Sequence, residues 1–397
     1  MSFWTLFIII IAGLIGLVPS GFRRVTVPLV MGEILAGILC GTSGFHILNP
    51  ADPILQFFSS VGFAMLMFLI GTKLPLRNPD LHGALRHSIT ALVLALAVAC
   101  PVALFLSHVT SLHSMPMFLL LLSCSSTAVV MPMVLERKLQ GNLVLQITTW
   151  VMVADIATVA SLPLAMYPNQ LPRILLGAVI ITAVAYLCMK GLKLFRQSDF
   201  GDYYRGLSKE RGWALDLRLS LAILFGLSAL AMRFGTSILI AGFAAGAIVA
   251  VIAHPKRFLK QLTGIAEGFF VPLFFVDLGA RLDFTQLFHS PHFLVLTFSI
   301  VAGSILVHLI VAKTMRLPSV AGWMAASQQG LPIALVSIGL STGTLSAGQG
   351  AAIIAAMMFL LASAGLGTAR LARMLPPPPP DQKDDDPQPP PARTDEQ

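Results

Sequence analysis

Long apolar runs, repeated from one end of the chain to the other, constrain this sequence more than any other feature. A helix rises about 1.5 Å per residue, so roughly 20 mostly apolar residues cross the hydrocarbon of a bilayer. Between charge clusters and Gly/Pro breaks, residues 3–20, 26–44, 54–74, 86–108, 115–136, 143–167, 172–195, 213–232, 236–254, 262–280, 291–314, 320–343 and 348–374 form thirteen such segments. Composition agrees: 56% of the 397 residues are hydrophobic and 11% are charged, where soluble domains carry about 25% charged residues. Short segments of strict alternation, the mark of a membrane barrel, do not recur. The expected fold is an all-α integral membrane protein of about thirteen transmembrane helices.

The first segment has no basic leader, and Arg23 and Arg24 follow its apolar run. It reads as a retained span with the N-terminus outside rather than as a cleaved signal. One side of the membrane then receives Arg23, Arg24, Lys73, Arg77, Arg86, Arg137, Lys138, the Lys190 to Arg218 cluster, Lys256, Arg257, Lys260, Lys313, Arg316, Arg370 and Arg373. The other receives Arg173, Arg233 and Arg281. Cytoplasmic loops carry the lysine and arginine excess, so the expectation is a multi-pass protein of the cell's inner (plasma) membrane with a cytoplasmic C-terminus.

Residues 1–375 form the transmembrane body, and 376–397, rich in proline and acid, read as a disordered cytoplasmic tail. The tail holds six acids and two bases, so the formal charge of +8 becomes +12 without it (8 plus 4). That basic balance faces anionic lipid, and nucleic acid is not expected as a partner. Cys40, Cys100, Cys124 and Cys188 lie in or at the ends of spans with no metal-ligand spacing. HExxH and GxSxG motifs are absent and the histidines are scattered, so neither an enzyme, a cofactor nor a bound metal is expected.

Against this background one acidic residue stands out: Asp155, in the apolar stretch VMVADIATVA. A charge at the bilayer centre costs roughly 2.5–3.5 kcal/mol on insertion scales and usually faces a cavity or a partner. Two further segments carry a polar cluster followed by proline: Ser123, Ser125, Ser126 and Thr127 before Pro132, and Gln328, Gln329 and Gly330 before Pro332. They occupy matching places if 1–167 and 213–375 are inverted repeats joined by a linker helix at 172–195, an arrangement whose interrupted helices build the binding sites of many transporters. An ordinary proline kink is the alternative for either segment, as a buried salt bridge is for Asp155.

In order, VPLVMGEILAGILCGTSG, LMFLIGTKL, SSTAVVMPMVLE, VADIATVASLPL, LIAGFAAGAIVA and GFFVPLFFVDLGARLDF follow the pattern of the monovalent cation:proton antiporter-2 family, which this chain resembles over residues 20–375. The resemblance implies exchange of sodium or potassium for protons by a homodimer in the lipid bilayer, each subunit having a dimerisation part and a mobile core. It implies that Asp155 carries the ion and the proton, beside Ser125, Ser126 and Thr127 at the middle of a broken helix. A carboxyl out of water takes up a proton more readily, and hydroxyls with freed carbonyls suit a hard cation.

Two positions depart from the family pattern. Ala154 stands where many relatives have a second polar or acidic residue, so a single carboxylate would give electroneutral one-for-one exchange. Ser304 follows Gly303 where a lysine is common. Lys313 is nine residues further, about 13 Å along a helix, and His308 is the titratable group nearer mid-span, read as a packing residue over a proton relay. Asp277 and Arg281, four apart, suit a helical ion pair more than a second ion site. Glu33 and Glu267 read as supports of the core, while Ser304, His308, Gln328 and Gln329 are candidate neighbours of the site. Gly242 and Gly246, at GxxxG spacing, suit close helix packing. Sodium-coupled transport of a small organic anion on a related fold is the rival reading.

Overall fold

The computed structural model describes residues 3–20, 29–72, 81–167, 171–233, 238–251 and 256–375, and is helical throughout. The first half comprises α1 (Phe3–Ser20), α2 (Leu29–Cys40), α3 (Pro53–Thr72), α4 (Leu81–Val109), α5 (Met115–Ser123), α6 (Thr127–Glu136) and α7 (Asn142–Met166). A connecting pair follows, α8 (Leu171–Gln197) and α9 (Asp199–Arg211). The second half comprises α10 (Leu215–Arg233), α11 (Ile238–Val251), α12 (Lys256–Ile265), a π-turn (Ala266–Phe270), α13 (Val271–Arg281), α14 (Phe284–His289), α15 (Pro291–Thr314), α16 (Ser319–Ala325), α17 (Gly330–Thr342) and α18 (Ala347–Met374). The tail 376–397 and the basic residues Arg23, Arg24, Lys73 and Arg77 lie outside the described residues.

Among the described residues eight helices are long and apolar enough to cross a membrane, and Phe3–Val18, Met115–Met131 and Ile240–Val251 add shorter apolar helices. Each of the thirteen expected segments contains a described helix, but 115–136 and 320–343 are each split in two, and 262–280 carries the π-turn. The additional helix α9 is polar, capped by Ser198, whose hydroxyl accepts from the Gly201 N–H at 3.1 Å, and closed by Gly212 at φ 69°.

Packing sorts the helices into two bundles. One holds α1–α3, α8 and α10–α13; the other holds α4–α7 and α15–α18. Within them the two halves repeat the same pairings. α1 packs on α2 as α10 does on α11, α2 on α13 as α11 on α3, α4 on α5 and α7 as α15 on α16 and α18. Glycines let the crossed pairs approach: a Cβ at Gly279 would overlap the Ile34 carbonyl, and one at Gly246 the Phe68 carbonyl. Lipid tails are as apolar as leucine, so such close contact, rather than a hydrophobic drive, holds membrane helices together.

Gly246→Val and Gly279→Val are therefore expected to lower stability by at least about 2 kcal/mol, read as a fall in the unfolding midpoint in detergent. Gly191→Ala, where nothing lies within 4 Å of the added carbon, leaves the midpoint in place.

Candidate functional site at the crossing of two broken helices

Both breaks arise where small polar side chains compete for the backbone. At the end of α5 the Ser123 hydroxyl donates to the Leu119 carbonyl at 2.6 Å. The chain turns extended at Cys124, ψ 154°, and restarts as a helix at Thr127. In the second half α16 stops at Ala325 and α17 starts at Gly330. The breaks precede the prolines instead of coinciding with them. Pro332 sits in the first turn of α17, where an N–H would have no helical partner anyway.

Asp155, on α7, is 7% exposed. Its Oδ2 accepts a hydrogen bond from the Thr127 backbone N–H at 2.9 Å, and a Cβ at Gly330 would lie 3.9 Å from its Oδ1. The carboxylate thus faces the first residues of both α6 and α17, whose unpaired N–H groups and positive dipole ends stabilise negative charge. Beside it the Ser126 and Thr127 hydroxyls are buried with no well-aligned hydrogen-bond partner.

The two breaks are tied to each other. The Ser125 hydroxyl donates to the Ala325 carbonyl, the last of α16, at 2.6 Å. Reciprocally, the Gln328 amide donates to the Leu121 carbonyl near the end of α5 and to the Ser304 hydroxyl at 2.8 Å. His308 continues the network: Nδ1 faces the Ser304 carbonyl at 2.8 Å, Nε2 lies 3.5 Å from the Ser125 hydroxyl, and the ring stacks on Trp150 at 5.9 Å.

Of the residues singled out in the sequence, Asp155, Ser125, Ser126, Thr127, Ser304, His308 and Gln328 come together here. Gln329 is half-buried at the start of α17. The others belong to the opposite bundle: Glu267 is exposed on the π-turn, and Asp277 binds Arg281 through Nε at 2.9 Å and a terminal nitrogen at 2.8 Å. Sequence reasoning missed Trp150, which carries no signal in an apolar span, and the Thr127 backbone N–H. Gly330 was legible only as part of a polar cluster.

Residues 6–374 match the family model described as sodium/hydrogen exchanger, transmembrane. The chain belongs to this family. Among curated relatives of the exchanger family, it is 25% identical over 359 residues to a putative sodium/proton antiporter, YjbQ, of Bacillus subtilis, covering 83% of this chain and 57% of the relative. It is 24% identical to the glutathione-regulated potassium-efflux system protein KefC of Klebsiella pneumoniae, covering 73% and 47%. A probable sodium/proton antiporter of Methanocaldococcus jannaschii is 22% identical, covering 76% and 77%. The chain thus spans about half the length of the first two relatives. Its fold is that of a sodium proton antiporter from M. jannaschii solved at pH 8, with a TM-score of 0.57, 16% identity and 94% and 97% of the two chains covered.

Ser125→Ala leaves the Ala325 carbonyl unpaired in a dry interior. It is expected to cost about 1–3 kcal/mol, visible as a lower unfolding midpoint in detergent.

Proposed function

We propose that this chain exchanges a monovalent cation, sodium or potassium, for protons across the membrane, with Asp155 as the shared site. The observation that carries the reading is the placement of Asp155 opposite two helix starts with partner-poor hydroxyls beside it. Charge on the carboxylate is offset by dipoles rather than by a fixed cation, which leaves room for a transported one. Deprotonated, it takes a cation together with the Ser126 and Thr127 hydroxyls; protonated, it needs none. Ser125 is already committed to the Ala325 carbonyl and acts by positioning.

Competition of proton and cation for one group gives exchange once the site opens to each side in turn, and the division into two bundles supplies the parts that move. Ala154 leaves Asp155 as the single carboxylate, so exchange is one-for-one and electroneutral. The relatives named as sodium/proton antiporters and as a potassium-efflux system support the reading. The organic-anion alternative gains no support: the starts of α6 and α17 face a carboxylate and offer no bare positive end. From the basic-residue asymmetry we place the N-terminus outside and the C-terminus in the cytoplasm, and from the family resemblance we expect a homodimer.

In everted vesicles, sodium or potassium is expected to dequench a pH dye with the native chain and not with Asp155→Asn. A response indifferent to the mutation overturns the reading. Ser126→Ala and Thr127→Ala are each expected to raise the cation KM about threefold to tenfold, the size of one lost ligand. In proteoliposomes an imposed voltage leaves the exchange equilibrium unmoved; a shift overturns the one-for-one stoichiometry.

A further inference from the structure

A charge pair that the Asp155 site does not use lines a cavity between the two bundles. The cavity is partly open and has a volume of about 260 Å³, room for several waters at about 30 Å³ each. Ser59 on α3 and Asp277 and Arg281 on α13 come from one bundle; Tyr167, just after α7, and Ser337 on α17 come from the other. Among the described residues that line it, Asp277 and Arg281 are the charged ones.

Asp277 is 1% exposed. Arg281 holds its Oδ2, while Oδ1 has no well-aligned partner; the Ser59 hydroxyl lies within hydrogen-bonding reach of the carboxylate. A buried carboxylate oxygen left in this state loses its hydration without full replacement. Ser337 lies seven residues beyond Gly330 on the same helix, about 10 Å along its axis. The helix that starts beside Asp155 therefore also forms a wall of the cavity.

We propose that this cavity is a waiting site for the transported cation, in which the Asp277 oxygen that Arg281 leaves uncommitted and the hydroxyls of Ser59 and Ser337 hold a partly hydrated monovalent ion. The proposal rests on the exchange reading above. Arg281 sets the affinity. By holding Oδ2 it weakens the field of the carboxylate, so the ion stays loosely bound and moves on to Asp155. Without Asp277, an unpaired guanidinium would face the cavity and repel cations; without Arg281, a bare carboxylate would hold them more tightly.

The two substitutions thus act in opposite directions, which a purely structural ion pair does not do. Exchange is measured in vesicles of each orientation, with the cation supplied from either face. Asp277→Asn is expected to raise the cation KM from the cavity face about tenfold, and Arg281→Gln to lower it several-fold. Both effects fall on KM more than on the maximum rate, and the KM from the opposite face stays within about twofold. Equal losses of maximum rate in both variants, or equal KM shifts from both faces, overturn the waiting site. If Asp277→Asn does not fold, Arg281→Gln decides alone: an unchanged or raised KM overturns it. Native exchange that disappears in Asp155→Asn, with KM unmoved at this pair, sinks the waiting site only; exchange that survives Asp155→Asn sinks the underlying reading.

Discussion

Every backbone polar group inside a bilayer has to find its partner within the protein, and the two interrupted helices depend on that constraint. Each break leaves carbonyls at the end of one half-helix and N–H groups at the start of the next. The carbonyl ends are satisfied reciprocally, α16 by Ser125 from the first break and α5 by Gln328 from the second. Because each break supplies the partner of the other, the two stand side by side at one depth. The N–H starts, left over by this exchange of side chains, converge on Asp155.

A neutral brace has an electrostatic consequence. Gln328 joins Leu121 and Ser304 without bringing a charge, and His308 lies behind Ser304, stacked on Trp150. Ser304 accepts this amide hydrogen bond and likewise carries no charge. Among the described residues no cationic side chain is found at hydrogen-bonding distance from Asp155, so no fixed ammonium neutralises its carboxylate. The buried charged pair Asp277 with Arg281 is held on the other bundle and faces a separate cavity.

Periodicity and hydropathy made the helices legible, because span length is set by the bilayer and not by neighbours. The 3.6-residue period likewise put Asp277 within reach of Arg281. The breaks were legible as polar clusters but were tied in the sequence to Pro132 and Pro332, whereas the chain leaves the helix earlier, at the side chains that compete for the backbone. The π-turn at Ala266–Phe270 left no mark in composition. Gly242 and Gly246 announced a close contact without naming α3 as the partner, since small residues encode distance and not identity. Nor did the run Ser125, Ser126, Thr127 reveal that its first hydroxyl braces a carbonyl while the next two are left without a well-aligned partner.

By itself the sequence determined that this is a helical membrane protein, that one acid, Asp155, interrupts an otherwise apolar span, and that two further spans carry a polar cluster before a proline. Those properties are local: hydrocarbon thickness fixes segment length, and the cost of a buried charge marks the exception. Only the tertiary structure decided which groups satisfy one another, placing Thr127 and Gly330 on either side of Asp155 and dividing the helices into two bundles with a cavity between them. The pairing of Gln328 with Leu121 joins residues 207 positions apart, and such pairings are chosen by close packing and by the need to leave few polar groups unpaired, neither of which is written in any one segment.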